Sequence, residues 1–95
     1  MKILIDSKAE EYIKKASKDK DITINLFEAS NCWVPIVEPS VEMGRPEDES
    51  LYNLYNISNI KVYCIRELRA KNGEIIIKMR NFFWSKYLYV EGYNI

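Results

Sequence analysis

The chain has 95 residues, no histidine, two cysteines, and fourteen basic residues balanced by fourteen acidic ones. That length accommodates one domain, residues 1–95, and leaves no room for a second independent core. Lack of histidine excludes Ser–His and Cys–His catalysis and histidine metal ligation, and two cysteines cannot complete a four-thiolate zinc or iron–sulfur site within one chain. A net charge of zero supplies no overall basic field, so neither nucleic acid nor an acidic membrane is an expected partner. Apolar residues at 47% and charged residues at 29% give the balance of an ordinary globular domain. Twelve aromatic side chains help a small core, because each buries a large area. The run from Ala29 to Val37 is too short and too interrupted to span a bilayer. Met1-Lys2-Ile3-Leu4-Ile5-Asp6 begins like a strand and meets an acid at once, unlike a signal peptide. The expected setting is the cytoplasm, with reduced thiols.

Ile3, Leu4 and Ile5 predict a first strand. Ser7-Lys8-Ala9-Glu10 fits a capping box, and Ala9, Tyr12, Ile13 and Ala16 place one apolar stripe on a helix of about three turns. Asp19-Lys20-Asp21 ends it. Ile22, Ile24 and Leu26 alternate with Thr23 and Asn25, the pattern of a half-buried strand that Phe27 extends. Pro35 and Pro39 exclude a helix and a central strand, which leaves an edge strand or an extended connection reaching Val41 and Met43. Residues 44–50 combine Gly, Pro and consecutive acids and read as a loop. Leu51 to Ile57 suits a strand or a short turn of helix. Ser58-Asn59 reads as a hairpin tip, Ile60 to Ile65 as a strand, and Arg66 to Lys71 as one helical turn before the Asn72-Gly73 turn. Glu74 to Met79 and Tyr87 to Glu91 are the last two strands, with Phe82-Phe83-Trp84 as a bulky corner between them. The expected fold is α+β: one N-terminal helix packed on a largely antiparallel or mixed set of six or seven short strands.

Cys32 is the leading candidate for chemistry. It follows a strand in a polar-to-aromatic loop, where a thiol can be exposed enough to react or to bind metal. The commoner fate of a free cysteine is burial as a small apolar residue. Cys64, between apolar neighbours on the Lys61–Ile65 strand, favours that packed role. Thirty-one residues separate the two cysteines, so the sequence permits a disulfide, whereas a reducing compartment opposes one. Glu38, held between Pro35 and Pro39, can act as an oxygen ligand or pair structurally. Glu47, Asp48 and Glu49 lack the ligand spacing of a calcium loop and read as a solvated loop. The aromatic series from Phe82 to Tyr89, with Lys78, Arg80 and Lys86, suggests base stacking but lacks the ordered signature of an RNA-recognition sheet.

The order of these features resembles the HesB-like family, the fold of the A-type iron–sulfur carrier and scaffold proteins. The resemblance rests on the first strand, the helix with Ala9 and Ile13, the strand Ile22–Leu26, the loop at Cys32, the strand Ile60–Tyr63, Phe82-Phe83 and the closing strand Leu88–Gly92. Pro35-Ile36-Val37-Glu38-Pro39-Ser40-Val41 is similar to the Pro-x-x-Glu-Pro-Ser-Val run of an offshoot of that family, marked by a Cys-Cys or Cys-selenocysteine pair. Trp33 stands where the second thiol or selenol is expected, and the carriers' C-terminal Cys-Gly-Cys is replaced by Asn81-Phe82-Phe83-Trp84-Ser85.

The resemblance implies a divergent member with one retained loop thiol. Cys32 would hold iron or an iron–sulfur species, its ligand set completed by a second subunit or a partner. Trp33 would shield the sulfur, Pro35 and Pro39 would stiffen the loop, and Glu38 would orient the site. Two alternatives stand beside it: a non-catalytic interaction module, a homodimer among its forms, and a thiol redox protein using Cys32. The balance falls against an enzyme.

Overall fold

The computed structural model describes residues 1–17, 19–30 and 35–94. In chain order these form β1 (Lys2–Ile5), α1 (Ser7–Ala16), β2 (Asp21–Ser30), β3 (Pro35–Met43), a 3-10 turn (Glu49–Leu51) and β4 (Tyr52–Ile57). There follow β5 (Ile60–Ile65), β6 (Arg69–Ala70), β7 (Glu74–Phe82), β8 (Ser85–Glu91) and β9 (Tyr93–Asn94). One sheet has the order β1-β7-β8, a second β3-β2-β5-β4, and β6 pairs with β9 alone. β1–β7 and β2–β5 are parallel and the other pairs antiparallel, so the α+β class with mixed sheets holds. Seven strands exceed two residues; the excess over the expected number is the short β6–β9 pair.

α1 forms where the apolar stripe predicts it. Ala9 and Ile13 are fully buried, and the helix packs on β7 and β5. The helix begins one residue earlier than a Ser7 cap requires. Asp6 donates its N–H to Ile77 O at 2.9 Å, continuing the β1–β7 ladder, and accepts from Glu10 N at 2.8 Å. Asp6 is thereby the N-cap residue, without a side-chain cap bond, and Glu10 pairs with Lys14 at 2.8 Å instead of reaching back. Arg66 to Lys71 is not helical either. Leu68 N reaches Ile65 O at 3.1 Å in a single turn that buries Leu68, and Arg69–Ala70 then pairs with Tyr93–Asn94. A strand partner supplied by the C-terminus overrides the local preference.

The core lies between α1 and the inner faces of the two larger sheets. Ile22 and Ile24 of β2, Val62 and Cys64 of β5, and Ile75 and Ile77 of β7 are all fully buried. Alternation along β2 turns Thr23 and Asn25 to the opposite face. Gly92 is required where β8 ends: its φ is +86°, and a Cβ there would lie 2.8 Å from Glu74 O.

Candidate functional site

The segment carrying Cys32 joins two strands in a long, regular ladder. β2 and β3 pair without a break from Ile22↔Met43 to Ser30↔Pro35. Gly44 N donates to Asp21 O at 3.0 Å, which makes that rung a hydrogen-bonded one. Alternation from it leaves Leu26↔Pro39 and Ser30↔Pro35 as non-bonded rungs. The two prolines thus fall where a backbone N–H would point away from β2. β3 is also the sheet's edge strand, as their presence predicts. Cys32 and Trp33 lie outside the described residues, and Pro35 begins β3. Glu38 is exposed on the outer face of the sheet, opposite Phe27, which is 59% exposed.

Cys64 belongs to the core. It sits on β5 between Ile24 of β2 and Asn53 of β4, fully buried, with Sγ 3.7 Å from Ile65 O. Burial pushes its thiol up to about 11. The Ser30↔Pro35 rung lies six residues along β2 from Ile24, or about 20 Å at the ordinary strand rise. The fold does not bring Cys64 to the end of the β2–β3 hairpin. Among the described residues, no three His, Cys, Asp or Glu side chains are arranged to hold a metal ion.

Two arrangements escape the sequence reading. The first joins α1 to β2. Asp21, 3% exposed, donates its N–H to Ser17 Oγ at 3.2 Å, and its carboxylate faces Arg45 Nε at 3.4 Å. Thr23 Oγ1 donates to Gly44 O at 2.7 Å, fixing the 44–51 loop over the outer face. Beneath that loop lies a cavity of about 420 Å³, lined by Thr23, Asn25, Glu42, Arg45, Leu51 and Tyr52 among others. Asp19-Lys20-Asp21 looked only like a helix stop; burial of Asp21 follows from a Ser–Arg pair far apart in sequence. At the loop's far end Asp48 accepts from Ser50 N at 3.1 Å, and its two bonds from Ser50 hold its carboxyl below the usual range.

The second is the corner Phe83-Trp84. It is a two-residue hairpin turn closed by Phe82↔Ser85, with Phe83 at φ +56°. That backbone region is one a bulky side chain rarely adopts. Phe83 and Trp84 are 79% and 92% exposed, with ring centroids 5.8 Å apart. Two of the three cations near the aromatic series, Lys78 and Arg80, are engaged locally. Lys78 pairs with Glu91 at 2.8 Å, and Arg80 lies 5.0 Å from the Tyr89 ring centroid.

Residues 1–93 match the CC/Se motif containing family. The chain belongs to it. No curated protein and no solved structure matches the chain. The family's description names a CC/Se motif, and this chain has Cys32 followed by Trp33. No helix among the described residues is long and apolar enough to cross a membrane.

Proposed function

We propose that this member of the CC/Se motif family is a HesB-like, single-thiol domain of the cytoplasm, acting through Cys32 on the β2–β3 connection. The thiol supplies one sulfur ligand to iron or an iron–sulfur species, and a second subunit or partner supplies the rest. The observation that carries the reading is the division of labour between the two cysteines. Cys64 is sealed in the core with its thiol pushed up to about 11, so sulfur chemistry near neutral pH falls to Cys32. Within one chain the donors do not fit a complete centre. One thiol is left, Glu38 points from the outer face of the sheet, and the described carboxylates do not converge. Completion in trans is therefore part of the proposal. Anaerobic incubation with iron and sulfide, alone and with candidate partners, tests it by absorbance. Binding that Cys32→Ser abolishes and Cys64→Ala preserves supports the reading, and binding indifferent to Cys32→Ser overturns it.

A specific observation favours a second reading, the interaction module. A bulky residue held at φ +56° in a tight turn costs about 1–3 kcal/mol, and strain of this kind clusters where function holds it in place. Here it keeps Phe83 and Trp84 on the surface. Loss of partner capture in Trp84→Ser, with Cys32→Ser unaffected, would select this reading over the first.

A further inference from the structure

β4 is an edge of the four-stranded sheet and carries none of the devices that protect one. Tyr52-Asn53-Leu54-Tyr55-Asn56-Ile57 contains no charge, proline or glycine. The opposite edge, β3, carries Pro35, Pro39, Glu38 and Glu42. The direction of β4's backbone groups follows from its turn. Ser58 and Asn59 have φ of +51° and +67°, the signs of a type I′ hairpin turn, whose closing pair Ile57↔Ile60 is hydrogen-bonded. Alternation then points the groups of Tyr55 and Asn53 at β5. The bond from Arg66 N to Leu51 O, 3.3 Å, has the same phase at the strand's other end.

Leu54 and Asn56 therefore turn N–H and C=O away from the sheet. Tyr52 turns out its C=O, while its N–H is bound to Glu49 O. Among the described residues no backbone hydrogen bond takes up the outward groups of Leu54 and Asn56, and β1, which passes nearby, does not pair with β4. Asn53, Leu54 and Asn56 are exposed along this edge.

We infer that β4 pairs antiparallel with β4 of a second copy of this chain, about a twofold axis at Leu54. In this register each Leu54 exchanges N–H and C=O with its counterpart, and each Asn56 N–H meets the opposite Tyr52 C=O. A one-residue slip sets outward groups against inward ones. A two-residue slip that keeps the bonds sets Leu54 against Asn56. The chosen register lets the two Leu54 side chains, each 51% exposed, cover one another with Cβ atoms about 5 Å apart. Two four-stranded sheets become one of eight strands.

The interface rests on hydrogen-bond geometry and owes nothing to the sulfur chemistry, yet it constrains that chemistry. Leu54 is level with Tyr63 and, through it, with Thr23. Ser30 lies seven residues farther along β2, about 23 Å, and β2 lies two strands in from β4, about 12 Å from the axis. The twofold sends the two Ser30↔Pro35 rungs in opposite directions, roughly 50 Å apart. A copy bound through β4 does not complete a ligand set at Cys32, so the completing ligands come from outside that pair.

Sedimentation equilibrium over a wide concentration range is the test, joined by disulfide trapping in a Cys32→Ser background. The wild type is expected to approach twice 11.2 kDa, and Leu54→Lys, which sets like charges together, to weaken association at least tenfold. Leu54→Cys is expected to give a covalent dimer under mild oxidation more readily than Tyr55→Cys. A wild type that stays monomeric overturns the inference. So does a dimer that Leu54→Lys leaves intact and Leu54→Cys does not trap. Trapping at Tyr55 in preference to Leu54 overturns the register. None of these readouts involves iron, so failure here and failure of reconstitution are distinguishable.

Discussion

Treating the folded protein with a chromogenic disulfide reagent at pH 8 tests the assignment of roles to the two sulfurs. Cys64 has its thiol raised from 9.0 to about 11 by burial. At pH 8 an unperturbed thiol of this kind is about one-tenth thiolate, and one at 11 about one-thousandth. Ionisation alone therefore slows Cys64 about 100-fold relative to the unfolded chain. Exclusion of the reagent adds to this, because Cys64 is 0% exposed between β2 and β4 and reacts only when that part of the sheet opens. Chromophore release gives the rates, peptide mapping assigns them, and guanidinium releases both thiols as the internal standard. Labelling of Cys64 in the folded protein within a few-fold of its rate in guanidinium would refute the argument. The same burial predicts that Cys64→Ala costs less than Cys64→Ser, since a shorter hydroxyl there is desolvated with only the distant Ile65 O beside it.

Three further outcomes follow from the fold. Ile24→Ala removes a fully buried side chain and should cost about 2–5 kcal/mol, read as a lower urea midpoint with unchanged slope. Asn59→Gly should be close to neutral, since φ +67° suits glycine but glycine also loosens the unfolded chain, whereas Gly92→Ala should destabilise by about 1 kcal/mol or more because its Cβ meets Glu74 O at 2.8 Å. Thermal melts order the two. Stability should also fall at alkaline pH. Burial raises Cys64 and Tyr63, the latter with help from its bond to Glu49, so the folded state holds protons that the unfolded chain releases. Their contribution is full below about pH 9 and is lost as pH rises through the folded values, toward 11 for Cys64. Urea midpoints between pH 8 and 11 check this, and Cys64→Ala should flatten part of the decline.

Most of the fold is legible because side-chain period reports the buried face. The Ile22–Leu26 alternation, the Ala9–Ile13 stripe and the Ser58-Asn59 turn each specify a local geometry that tertiary contacts reinforce. Pro35 and Pro39 fix β3 as an edge because a missing N–H is tolerated only there. Arg66 to Lys71 was misleading because its conformation is decided by Tyr93 and Asn94, a partner more than twenty residues away. The capping box misled because Asp6 was already committed to the β1–β7 ladder. At the candidate site, the core role of Cys64 was legible from Val62 and Ile65. Burial of Asp21 was not, since its compensation by Ser17 and Arg45 is assembled only on folding.

The β2 ladder has one more consequence, for how firmness is distributed along it. From Asp21 to Ile24 the strand is bonded on both sides, to β3 and β5; among the described residues the pairing with β5 stops at Ile24↔Cys64, and beyond it only the β3 partner continues. Amide protection should therefore fall from the Ile24 end toward Ser30, and the outer rungs should open in a smaller cooperative step than the sheet itself. A partner that engages the far end of this ribbon need displace only those rungs. It could draw the Cys32-bearing end toward its own ligands while Ile22, Ile24 and Cys64 keep the core closed.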